Sequence, residues 1–236
     1  DNDGDGETDE FGEDLLSDNS RIFHITSASA DTGLTGLVLT GGEASSGGAV
    51  YSAASLTVYN STVSGNTALR SGGGVFGDGA LTIANSTVSG NSARVFGGGV
   101  RADAELTLTN STVSGNSART GGGVHGTRTF DISNTTVSGN SATLSGGGVN
   151  AAGALTLTNS TVSGNTATES GGGVNADGAA TLINSTVSGN TAGSEGGGIS
   201  ADDAVTLTNS IVLGNSAVSD AEIDGTVDTT GGGNIV

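Results

Sequence analysis

Cysteine is absent from the 236 residues, so disulfides and thiol chemistry are excluded, as suits a rapidly exported chain. Proline is absent as well, and every cationic side chain is Arg. Methionine is missing even at position 1, from which a processed mature form or a fragment is expected. No apolar run approaches the ~18 residues a transmembrane helix needs, so membrane insertion is not expected. Six cations face 24 acidic residues, for a formal net charge of -18. That balance disfavours nucleic acid and anionic membranes as partners.

One phrase is present in abundance. Asn-Ser-Thr-Val-Ser-Gly-Asn, or a close variant, begins at Asn60, Asn85, Asn110, Asn134, Asn159, Asn184 and Asn209. A Gly-Gly-Gly-Val or Gly-Gly-Gly-Ile signal follows each of the first six. The steps are 25 residues except for one of 24, between Asn110 and Asn134. Self-similarity at a fixed period marks an array of one structural unit. The repeats start near residues 50, 75, 100, 124, 149, 174 and 199.

Within a unit, Leu106, Leu108 and Val113 alternate with Thr107, Thr109 and Thr112. Period-two alternation of this kind argues strand, and glycine triplets argue against helix. A unit of this length predicts roughly three strands of ~5 residues plus bends. The economical solution is all-β: a right-handed, single-stranded parallel β-helix (β-solenoid) over residues 21–236, preceded by an acidic segment 1–20. It has one unit per coil and eight to nine coils, stacked ~4.8 Å apart into a rod roughly 40 Å long.

Four apolar columns follow. They start at Val50, Leu56, Val58 and Val63 and recur in every coil, through to Ile199, Val205, Leu207 and Val212. The first Asn of each phrase (Asn60, Asn85, Asn110, Asn134, Asn159, Asn184 and Asn209) is expected at a sharp bend. There Asn tolerates a left-handed backbone, and its amides can stack into a ladder. The first six are also N-glycosylation sequons, but an internal ladder would already commit their amides.

The strings LTLTNSTVSGNSA and GGGV, led in by RIFHITSASADTGLTGLVLTGG, resemble right-handed parallel β-helix repeats of bacterial surface proteins. Those include the polymorphic outer-membrane-protein repeats and adhesin-like secreted proteins. The closing NSIVLGNSAVSDAEIDGTVDTTGGGNIV looks like the usual finish of such regions, although Val236 ends it in mid-strand without an obvious cap. The resemblance covers residues 21–236. It implies the fold and a cell-surface or extracellular location, and says little about activity.

Candidate sites divide by chemistry. Asp1, Asp3, Asp5 and Asp9, interleaved with Gly4 and Gly6, match the first half of a Ca²⁺ loop, but Gly12 stands where the bidentate acid belongs. The residue after each inward Val should point outward. That column holds Tyr51, Phe76, Arg101 and His125, a stripe suited to a glycan or a partner protein. Two residues further on lie Asp78, Asp103, Asp177 and Asp202. Residues 70–128 carry five Arg and three acids, a mildly basic belt with Arg70, Arg94 and Arg119 between two acidic ends. The belt predicts a complementary contact between subunits. His125, Arg128 and Asp131 cluster in sequence but lack the lined groove that polysaccharide-cleaving chemistry needs. An enzyme is therefore not expected. A Thr column (Thr57, Thr82, Thr107, Thr156, Thr181 and Thr206) has the regularity of ice-binding solenoids, but Asp131 interrupts it.

The leading expectation is a self-assembling, head-to-tail surface filament or stalk, with Ile22 to Ile25 as the strand offered to the next subunit. The alternative is a monomeric adhesin module that binds glycan or protein through the stripe.

Overall fold

Residues 20–26 and 31–236 are described by the computed structural model. All regular structure among them is β, and every pairing between strands is parallel. The chain winds as a parallel β-solenoid with four faces. Face one runs from Phe23–Ile25 through Val50–Ser52 to Ile223–Asp224 and has nine strands. Face two, from Thr32–Thr35 to Val227–Asp228, also has nine. Face three has eight, from Val38–Thr40 to Ile211–Val212. Face four has seven, from Glu43–Ser46 to Thr191–Ala192. Faces of nine, nine, eight and seven strands amount to about eight coils, within the eight to nine expected.

A coil therefore holds four short strands, not three longer ones. The fourth is as little as a Ser-Ala or Thr-Ala pair, such as Ser92–Ala93. It is too short to show alternation, which is why the period-two pattern passes over it.

The four apolar columns pair residue for residue. Leu81 stands between Leu56 and Leu106, Ile83 between Val58 and Leu108, and Val88 between Val63 and Val113. Val100 lies between Val75 and Val124. All of these side chains are buried in one continuous core. No coil closes that core alone, so burial couples each coil to its neighbours. The glycine triplets are sterically required: a Cβ on Gly98 would overlap the carbonyl oxygens of Gly122 and Ser117.

The repeated phrase can now be decoded. Asn60 takes φ 48° at the bend, Ser61 turns in, Thr62 out and Val63 in. Ser64 points out, Gly65 bends at φ 64°, and Asn66 turns in. Two polar ladders line the interior beside the apolar columns. In one, each Ser or Thr hydroxyl accepts the backbone N–H of its counterpart one coil earlier, as in Ser86 to Ser111 at 3.1 Å.

The other ladder is Asn66, Asn91, Asn116, Asn140, Asn165, Asn190 and Asn215, all buried. Each Oδ1 from Asn91 onward accepts both the backbone N–H and the Nδ2 of the Asn before it, as Asn140 does from Asn116 at 2.9 Å each. Each Nδ2 also donates to a carbonyl one coil back, as Asn140 does to Val113 at 3.0 Å. This is a different column from the one expected. The first Asn of the phrase is exposed throughout, and its side chains bond only from Asn134 to Asn209, at 2.8–3.3 Å.

Both ends carry side-chain caps that sequence reading missed. Arg21 donates to the carbonyls of Ser46 and Gly47 at 2.9 and 3.1 Å. Glu222 ends the Asn ladder, accepting Asn215 Nδ2 at 2.7 Å and the backbone N–H of Gly214 at 2.9 Å. Asn234 ends the Ser ladder through Ser210 N–H at 3.0 Å.

Candidate functional site

Face one carries the predicted stripe. His24, Tyr51, Phe76, Arg101 and His125 occupy successive paired positions, one per coil. The rings of His24 and Tyr51 meet edge to face at 5.2 Å, and those of Tyr51 and Phe76 at 5.5 Å. Arg21 sits 5.5 Å from the Tyr51 ring centroid, so the capping residue also joins the stripe.

Two members of the acidic column hold the stripe in place. Asp78 accepts the Tyr51 hydroxyl at 2.5 Å and, with burial, raises the pKa of that phenol. Asp103 pairs with Arg101 Nε at 2.5 Å. Further along the column, burial and then the neighbouring Asp202 raise the pKa of the Asp177 carboxyl.

The lower end departs from expectation. His125 is 7 % exposed rather than outward and free. The glycine-triplet turn lies against this column, and Asn150 is equally buried. At His125 Phe96 adds to the cover, its ring 4.6 Å from the His125 ring and under the Arg101 guanidinium at 4.8 Å. Phe96 stands in the turn between Ser92–Ala93 and the next glycine triplet. Burial first, then the Arg101 charge, lowers the His125 pKa to about 3, with a hydrogen bond to Asn150 acting the other way. Its imidazole is therefore neutral at physiological pH. Arg101 Nη1 and His125 Nδ1 are both buried without a hydrogen-bond partner among the described residues. Such atoms are uncommon in folded proteins.

The single 24-residue step also falls here. Five residues lie between Asn91 and Gly97, but four between Asn116 and Gly121, so the missing residue lies in the turn next to Phe96. Thr120, in the shortened turn, bridges directly to Phe96. Phe96 carried one sequence signal: it is an aromatic residue immediately before a glycine triplet whose strand presents the stripe.

The other expected sites fare differently. Asp1, Asp3, Asp5 and Asp9, with the acidic segment through residue 19, lie outside the described residues. Among the described residues no group of three or more His, Cys, Asp or Glu is arranged to hold a metal. Arg70, Arg94 and Arg119 are exposed on successive coils, but Arg70 is displaced. Ala68 pairs with Ala93 and Ser71 with Phe96, which aligns Arg70 with Val95 and leaves the belt broken as a column.

Phe23–Ile25 is already paired to Val50–Ser52 of its own chain, so its inner edge is not free for another subunit. Arg128 and Asp131 are exposed, while His125 is engaged by Phe96, Arg101 and Asn150. On face three a Thr column runs unbroken over six coils, Thr62, Thr87, Thr112, Thr136, Thr161 and Thr186, beside the interrupted one on face two. Asn60, Asn85 and Asn110 are exposed and make no side-chain hydrogen bond among the described residues, so no ladder commits their amides.

Comparison with known proteins gives one finding. A model of the Chlamydia polymorphic membrane protein (Chlamydia_PMP) repeat matches residues 184–202. The match spans one bend Asn, both interior ladders, a glycine triplet and the strand after it. The chain fits the β-helix repeat proteins of the bacterial surface. No curated protein and no solved structure matches it. The repeat points to a bacterial surface or outer-membrane-associated protein. No helix of the described residues is long and apolar enough to cross a membrane.

Proposed function

We propose that the chain is a non-enzymatic, surface-displayed binding module, a rigid solenoid that presents the face-one stripe to a ligand. The observation that carries this reading is where the repeat breaks. The interior columns are nearly invariant, whereas the aromatic stacking, the Arg–aromatic contacts, the two unpartnered buried polar atoms and the shortened turn all fall between residues 21 and 125. Local rule-breaking in an otherwise consistent repeat is where function is expected.

The test is retention of the purified chain on immobilised glycans and extracellular proteins. Binding should fall for Tyr51→Ala and Phe76→Ala while circular dichroism stays unchanged. Retention that ignores both substitutions rejects the reading.

Head-to-tail assembly is the second reading. It is favoured by exposed apolar side chains in the last coil: Leu213 at 49 %, Val218 at 86 %, Ile235 at 51 % and Val236 at 52 %. Further chain or a second copy would cover them. The caps at Arg21, Glu222 and Asn234 weigh against it, because they satisfy backbone groups that a stacked subunit would need. Calcium at Asp1, Asp3, Asp5 and Asp9 remains part of this second reading. Negative-stain microscopy with calcium and then with chelator decides it: uniform fibres lost in chelator support assembly and the calcium role, and single rods in both conditions remove them.

A further inference from the structure

Resting on that reading, the geometry points to an uncharged, extended oligosaccharide, lying along the solenoid axis, as the ligand of the face-one stripe. Shape comes first. With His125 buried, the platform is one residue wide and four coils long, because His24, Tyr51, Phe76 and Arg101 occupy paired positions on successive coils. At ~4.8 Å per coil its three steps span roughly 14 Å. A protein–protein interface of standard size covers roughly 800 Å² on each partner, which a single column does not offer. An extended peptide rises ~3.3 Å per residue and falls out of register with the coils. A linear chain of pyranose rings advances by about one coil step per sugar, so successive rings meet equivalent positions.

Chemistry narrows the choice. Tyr51 and Phe76 are half-buried and leave part of each ring at the surface for the C–H faces of sugars. Beside them stand acceptors on Asp78 and Asp103 and the partly exposed guanidinium of Arg101 as a donor. Sugar hydroxyls both donate and accept, so they match a platform lined by both kinds of group. An anionic glycan would meet two carboxylates on a chain of net charge -18. A cation would compete with Arg21 and Arg101, which already lie over the Tyr51 and Phe96 rings. The Tyr51 hydroxyl and Arg101 are each held by a carboxylate, so little side-chain freedom is lost on binding.

Calorimetric titration of the full chain tests the proposal. The probes are uncharged gluco-, manno-, xylo- and N-acetylglucosamine oligomers of increasing length, with tetragalacturonate as the anionic probe and choline as the cationic one. At least one uncharged series should bind with affinity that rises from monomer to tetramer and then levels off. Phe76→Ala should weaken it by about tenfold, the loss of one aromatic contact. Arg101→Gln should weaken it several-fold, and salt should have little effect.

A monosaccharide that binds as well as its tetramer overturns the inference. So does tighter binding of tetragalacturonate or choline, or no binding by any uncharged tetramer. In each of these cases, Phe76-dependent retention on another surface would leave the parent reading standing. Binding to every probe and surface that is indifferent to Tyr51→Ala and Phe76→Ala would remove both.

Discussion

Two asparagine columns run the length of this solenoid, six residues apart in every coil, and they do opposite jobs. The buried column, Asn66 to Asn215, makes its bonds between coils: each interior member joins the coil before it to the coil after it. The exposed column, Asn60 to Asn209, acts within its own coil, where Asn tolerates φ of 46–50°. One column is retained for what its amide bonds to, the other for what its backbone allows. Residue type and period alone therefore do not reveal which column holds the rod together.

Breaking the comparison should show the largest effect first. Asn140→Ala removes the acceptor of both Asn116 N–H and Asn116 Nδ2, and one donor to Val113 O, leaving the two buried Asn116 donors without that partner. A cost of about 3–4 kcal/mol is expected from that desolvation, read as a lower urea midpoint.

The second test concerns His125, whose imidazole is buried and neutral. In the folded chain it takes a proton only near pH 3, against an ordinary value of 6.5. Between those values the unfolded chain binds more protons, so stability falls as pH drops through that window and is retained above it. The loss should reach about 2 kcal/mol by pH 5. His125→Asn, which continues the Asn150 and Asn175 column, should abolish that component. Urea midpoints of both proteins at pH 7 and pH 5 provide the check, and equal pH dependence would refute the buried neutral imidazole.

Glu222→Ala should cost about 1–2 kcal/mol, confined to the last coils. Amide exchange should quicken around Gly214 and Asn215, which Glu222 caps, and stay unchanged near Asn116. Asn134→Gly should be nearly silent, under about 0.5 kcal/mol, because glycine adopts the left-handed bend freely. It gives up only an exposed 3.3 Å contact from Asn159.

Why the buried column escaped sequence reading is a matter of parity. Alternation gives Thr62 out, Val63 in and Ser64 out, and predicts the apolar columns correctly. The left-handed Gly65 then resets the direction of the chain, so counting by twos no longer says where Asn66 points. The same break hides the Ser92–Ala93 strand. The axis of the stripe was legible, because register follows from the period. Its burial was not: Phe96 belongs to a turn of variable length, and its packing over His125 and Arg101 arises only when the coil closes. The caps were hidden for a similar reason. Arg21, Glu222 and Asn234 occur outside the seven-fold repeat, where no column predicts their partners.

Side-chain amide exchange, followed by NMR on the assigned asparagines, tests the division between the columns most directly. The Nδ2 protons of Asn66, Asn91, Asn116, Asn140, Asn165, Asn190 and Asn215 should exchange slowly. Those of Asn60, Asn85 and Asn110 should exchange at nearly the free rate, with Asn134 to Asn209 only slightly slower. Protection spread evenly over both columns, or found in the bend column alone, would contradict the assignment of the inner ladder as the element that joins coil to coil.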